Sequence, residues 1–213
     1  MPSKEKKRRM LASRESRAKR TGGAVSTLPP MRHAVARTPA TSWPVVEVWV
    51  STGWHLPGAL PQIVVVRQDA GSEAIVAATF LVDLGCLGVK NADVKRYTSL
   101  EVFRVTMFAM FDDLQPMEPI DLDSAAKIIR EGLRYAESLG FVPHRDYAAA
   151  ARYLEGADPD ASALDVPLGE NGKPYFMNGP YDDVPAILAQ LDKAVGRGNY
   201  TATLFAGPPD VDW

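Results

Sequence analysis

From position 44 onward the chain changes between runs of β-branched and aromatic residues and stretches whose apolar positions recur with a period of about 3.6 residues. VVEVWV at 45–50 is β-branched and aromatic, as a half-buried strand requires, while QIVVVR at 62–67 predicts a second strand and EAIVAATFLV at 73–82 a third. Asp69-Ala70-Gly71-Ser72 between the last two is turn chemistry, so an antiparallel hairpin is expected. Asn91 is the expected N-cap of a short helix with Asp93 in its first turn. Ser99 opens a longer helix, in which Leu100, Phe103, Met107, Met110 and Phe111 recur at helical spacing. Asp123 or Ser124 caps the next, whose stripe of Ile129, Leu133 and Ala136 stops before Gly140. Another is expected from about His144 to Glu155, with Tyr147, Ala151 and Leu154 on one face. The best patterned helix runs from Asp183 to Val195, its stripe being Val184, Ile187, Leu188, Leu191 and Val195, and Gly196 ends it. A last strand over 200–205 is expected to rejoin the sheet.

Strands at the front, helices in the middle and a returning strand predict an α+β domain over residues 44–206: a mainly antiparallel sheet with helices packed on one face. The chain shows no internal repeat. Residues 1–22, MPSKEKKRRMLASRESRAKRTG, hold only Met10 and Leu11 as large aliphatic side chains, so a disordered, flexible arm is expected there. Residues 23–43, with Gly23, Pro29, Pro30 and Pro39, read as a linker, and 207–213 as a C-terminal tail.

Charge sharpens this division. Residues 1–40 hold 11 Lys and Arg against 2 Asp and Glu, and the rest hold 13 against 24, so a net charge of −2 hides a basic arm on an acidic body. The single cysteine, Cys86, cannot form an internal bridge, which suits a reducing compartment. The basic start is not followed by an apolar signal core, and the most apolar run, at 74–82, is shorter than the roughly 20 residues of a membrane helix. A cytoplasmic protein with no membrane partner is expected.

The candidate chemistry begins with the arm, where Lys4, Lys6, Lys7, Arg8, Arg9, Arg14, Arg17, Lys19 and Arg20 place nine cations within seventeen positions. Such a segment binds polyphosphate by releasing condensed counterions, which makes RNA or DNA the natural partner. It has no aromatic residue for stacking, so its binding should be nearly sequence-blind. The plainer readings are a solubility tail, or an electrostatic contact with an acidic protein or an anionic membrane.

A second signal is FLVDLGCLGVKN at 80–91. A strand running into a Gly-x-x-Gly turn and a helix start can offer backbone N–H groups and Lys90 to an anion; the plainer reading is a structural turn with Cys86 in the core. Cys86 as a nucleophile would need a base, and the domain offers only His55 and His144, neither in a recognisable catalytic context. A third signal is GENGKPYFMNGPYDD at 169–183, in which Asn171-Gly172 is a tight-turn pair and Asp182 and Asp183 either cap the last helix or hold a divalent ion. Because adjacent carboxylates point apart, capping is the simpler role.

FLVDLGCLGVKNA together with GKPYFMNGPYDD resembles a pattern of uncharacterised bacterial proteins, over about residues 45–206. The resemblance leaves out the basic arm, implies a single bacterial domain and adds no catalytic residue.

The preferred expectation is a non-enzymatic protein that binds RNA, or the ribosome, through the nine arm cations. Lys90, Lys95, Arg96 and Arg104 are near enough in sequence to gather on one face of the body and help orient the arm. One alternative is a hydrolase or transferase with a pocket between the 83–91 turn and the 175–183 loop, formed by Asp83, Cys86, Lys90, Asn91, Tyr181 and Asp182. Another is an adaptor or antitoxin-like module that binds a protein through its acidic domain. No nucleotide, zinc, protease or kinase signature is present, so no cofactor and no metal are expected.

Overall fold

The structure is a computed structural model that describes residues 39–111 and 115–205, without the side chains of residues 108, 110 and 111. The nine arm cations, the expected linker up to residue 38, the tail at 207–213 and the side chains of Met110 and Phe111 lie outside the described residues.

The elements run β1 (Val45–Ser51), β2 (Gln62–Gln68), β3 (Ile75–Asp83), β4 (Gly88–Tyr97), α1 (Leu100–Phe111), β5 (Met117–Pro119), α2 (Leu122–Ser138), α3 (Tyr147–Ala151), β6 (Tyr175–Met177), α4 (Val184–Val195) and β7 (Thr201–Thr203). The first five strands form one sheet in the order β4-β3-β2-β1-β5, antiparallel at every pairing. This is an α+β fold, and the β2–β3 hairpin turns at Asp69 and Gly71 as the local chemistry requires, Asp69 accepting from the Gly71 N–H and the Ser72 hydroxyl.

Successive strand residues point to opposite faces, and here both faces are apolar. Ile63, Val65, Ala78 and Phe80 pack with Ala125, Ile128 and Ile129 of α2 and Ala150 of α3. Val64, Val66, Ile75 and Ala77 pack instead with Phe103 and Met107 of α1. The main helical layer thus covers one face, while α1 closes part of the other. Burial on both sides is why these strands read as near-continuous Val and Ile runs.

Several elements differ from expectation. The segment after Gly88 continues as strand β4, not as a short helix capped by Asn91. Asp121, rather than Asp123 or Ser124, caps α2, its carboxylate accepting from the Ser124 N–H at 2.8 Å. The expected helix from His144 to Glu155 is reduced to α3 and a 3₁₀ turn over Arg152–Leu154. The last strand does not rejoin the main sheet, because β7 pairs in parallel with β6 in a separate two-stranded sheet. The end of the expected linker belongs to the body: a 3₁₀ turn over Ala40–Ser42 leads into Trp43, and Ala40 and Trp43 are buried against Val76.

Buried Arg67 on β2 ties these outlying segments together. Its guanidinium donates to the carbonyl oxygens of Trp43 at 2.6 Å, Tyr153 at 3.0 Å and Glu155. A third apolar cluster buries Cys86, Leu87, Leu139, Phe176 and Leu191 together.

Candidate functional site

The 83–91 turn and the 175–183 loop do meet, and the sequence explains how. Asp83 ends β3 with its side chain buried, and its carboxylate accepts the N–H groups of Cys86 at 2.8 Å and Leu87 at 3.3 Å, which folds the turn back on itself. The Gly85 carbonyl accepts the Tyr175 N–H at 3.0 Å, and a Cβ at Gly85 would run into the Tyr175 carbonyl oxygen. Gly88 has φ of +67°, and a Cβ there would lie 2.8 Å from that of Ala136 on α2. Both glycines of the Gly-x-x-Gly turn are therefore explained by close backbone approach.

Lys90 is an extra residue on β4, since Leu81 pairs with Asn91 while Val82 pairs with Val89. The bulge sends its ammonium to Asp182 at 2.6 Å, with both side chains about 15% exposed (15% and 14%). Asp182 also accepts the Gly179 N–H at 2.7 Å, and Asp183 caps α4 by accepting the Ala186 N–H at 3.1 Å. Both carboxylates are thus used locally, and among the described residues no group of three or more His, Cys, Asp or Glu side chains stands where it could hold a metal ion.

Of the six residues placed in the expected pocket, Asp83 and Cys86 are buried, Lys90 and Asp182 hold each other, Tyr181 is 98% exposed, and Asn91 points to the α1 side of the sheet. Burial, and secondarily Asp83, pushes the Cys86 thiol well above its ordinary value, and among the described residues no hydrogen bond joins it to His55 or His144. Burial likewise raises the Asp83 carboxyl, the N–H donors of Cys86 and Leu87 opposing it only in part. The meeting of these loops is a packed joint between strand and helix.

The four body cations do not form a free basic face. Lys95 pairs with Asp93 at 3.2 Å, Arg104 with Glu47 and Lys90 with Asp182, while the Arg96 guanidinium lies 5.8 Å from the centre of the Trp43 ring.

Open concave space lies elsewhere. A cavity of about 140 Å³ sits between α1 and the uncovered half of the sheet, walled by Phe103 and Met107 and floored by Gln62, Thr79, Asn91 and Asp93. A larger, shallower depression of about 520 Å³ lies beside Trp54, Glu118, Asp121 and Leu164. The first was readable only as Gln62 and Thr79 interrupting apolar strand positions, a signal that has no meaning until strand register is known. Comparison with protein-family models, with curated proteins and with solved structures finds no match to this chain.

Proposed function

We propose that the protein is a non-enzymatic, cytoplasmic nucleic-acid-associated protein that engages RNA through its N-terminal cations. The observation that carries this reading is the charge distribution: nine cations between Lys4 and Arg20, against a body after residue 40 with 13 Lys and Arg and 24 Asp and Glu. The four body cations grouped by nearness in sequence, Lys90, Lys95, Arg96 and Arg104, are engaged in ion pairs or over an aromatic ring, which favours the arm as the segment that meets a polyanion. Among the described residues no helix is long and apolar enough to cross a membrane.

The test compares the full chain with a full chain carrying Gln at the nine arm positions. Binding to single-stranded RNA is measured against salt. The native chain is expected to bind with a log–log slope of roughly −0.7 per phosphate neutralised, and the neutralised chain to lose both the affinity and the slope. Equal binding by the two chains refutes the proposal.

A further inference from the structure

The cavity between α1 and the sheet has a composition that the rest of the molecule does not explain. Cross-strand register places Gln62, Leu81 and Asn91 in one row and Val64, Thr79 and Asp93 in the next, all on the face that α1 covers only in part. Gln62 and Asn91 are two strands apart, a span of roughly 10 Å. Their amides and the Thr79 hydroxyl carry no hydrogen bond to any described residue; Gln62 and Thr79 are half-buried and Asn91 is exposed, so all three are open to an incoming donor–acceptor edge. Opposite them stand Phe103 and Met107, both nearly fully buried and held by the packing of α1 on Val64 and Ala77.

This slot has an apolar wall and a polar floor, and at about 140 Å³ it is smaller than the roughly 300 Å³ at which drug-sized ligand sites begin. A flat ring with apolar faces and a donor–acceptor edge matches it. Carboxamides pair with such edges in two-point fashion, and an unpaired base offers that edge while a paired one conceals it. Lys95, half exposed and with its ammonium paired to Asp93 at 3.2 Å, also lines the slot and offers a cation to the phosphate carried by the sugar of a bound nucleotide.

We infer that this slot takes an unpaired nucleobase, with Gln62 and Asn91 reading its edge and the nearly buried Phe103 and Met107 forming the back of the recess. The inference rests on the RNA reading for its biological setting, because it gives an arm that cannot distinguish sequences a neighbouring body with a base-sized recess. The chemistry itself is independent of the arm.

The test uses the full chain with the nine arm cations replaced by Gln, so that phosphate binding by the arm does not enter. The methyl resonance of Met107 is followed by NMR during titration with AMP, CMP, GMP and UMP, and with ribose 5-phosphate as the base-free probe. At least one nucleotide is expected to shift the Met107 signal saturably while ribose 5-phosphate leaves it in place. The double substitution Gln62→Ala and Asn91→Ala should weaken the response at least fivefold while the remaining methyl spectrum keeps its folded dispersion. No response at Met107, an equal response to ribose 5-phosphate, or an undiminished response in the double variant overturns the inference. Free nucleotide and RNA strand share this chemistry, and competition by a short single-stranded oligonucleotide at lower concentration than the mononucleotide identifies the strand as the source. Loss of the nucleotide response with salt-dependent RNA binding intact removes the slot alone. The converse result removes the arm reading alone.

Discussion

Arg67 donates to three carbonyl oxygens that come from either side of the sheet in sequence, those of Trp43, Tyr153 and Glu155. A planar fork of donors can do this, whereas a single ammonium cannot span the same acceptors. Arg67→Lys is therefore expected to leave part of this buried and half-buried carbonyl set without donors and to cost about 2 kcal/mol, read as a lowered urea midpoint with an unchanged slope. Lys90→Met should cost about 1–3 kcal/mol in the same assay, because it strands the Asp182 carboxylate in a site that is only partly closed to water.

Asp83 belongs to the same scale but acts through pH. Its carboxyl is raised by burial, so the folded protein keeps this proton where the unfolded chain has already released it. Its contribution is complete below the ordinary carboxylate range and is lost as pH rises through the raised folded value. Asp83→Asn keeps an acceptor for the Cys86 and Leu87 N–H groups and removes the charge. Stability against pH, measured as urea midpoints from about pH 4 to neutrality, should be flatter for this variant than for the native chain; parallel curves would contradict the assignment.

At the scale of elements, α2 is the main partner of the sheet, and its cap is the point where a single change is most informative. Asp121→Ala is expected to cost about 1 kcal/mol in thermal or urea unfolding by releasing the Ser124 N–H. Because hydrogen bonds from Ser124 hold the Asp121 carboxyl below its usual range, that difference should shrink as pH falls through the lowered value. The first three strands were legible as β-branched and aromatic runs bounded by turn residues, and α1 and α4 because each keeps one helical period. β4 was not: its inward positions are Val89, Ala92 and Val94, and the bulge at Lys90 inserts an odd step that destroys the alternation. Asn91-Ala92-Asp93 then imitates a helix start. The three-residue strands β5, β6 and β7 carry too few positions to show a period, and nothing local specifies that β7 should choose β6 as a parallel partner. Motif content paired the 83–91 turn and the 175–183 loop only as the walls of an alternative pocket; their packed contact follows from burial of Asp83 and Cys86, which sequence does not display. As an edge strand, β4 carries Lys90, Asp93, Lys95 and Arg96, charges that discourage edge-to-edge pairing with other chains.

At the scale of the whole molecule, the boundary of the body falls before Trp43. The segment is isolated by chains that begin at residue 39 and at Pro44. One beginning at Pro44 loses the burial of Trp43 and an acceptor of Arg67, for a penalty of about 3 kcal/mol in the same urea measurement. Equal stability of the two would show that the turn over Ala40–Ser42 is dispensable.

The parallel pairing of β6 with β7 has a kinetic corollary. The two strands are joined through α4, and neither can zip up from a tight turn, so the ladder closes only once that helix has docked its Leu191 against Phe176. Amide protons of Thr201 and Asn178, which bond across this ladder, should exchange with solvent far sooner than those in the centre of β2 and β3, marking a subglobal opening in which the C-terminal unit lifts away while the five-stranded sheet stays closed.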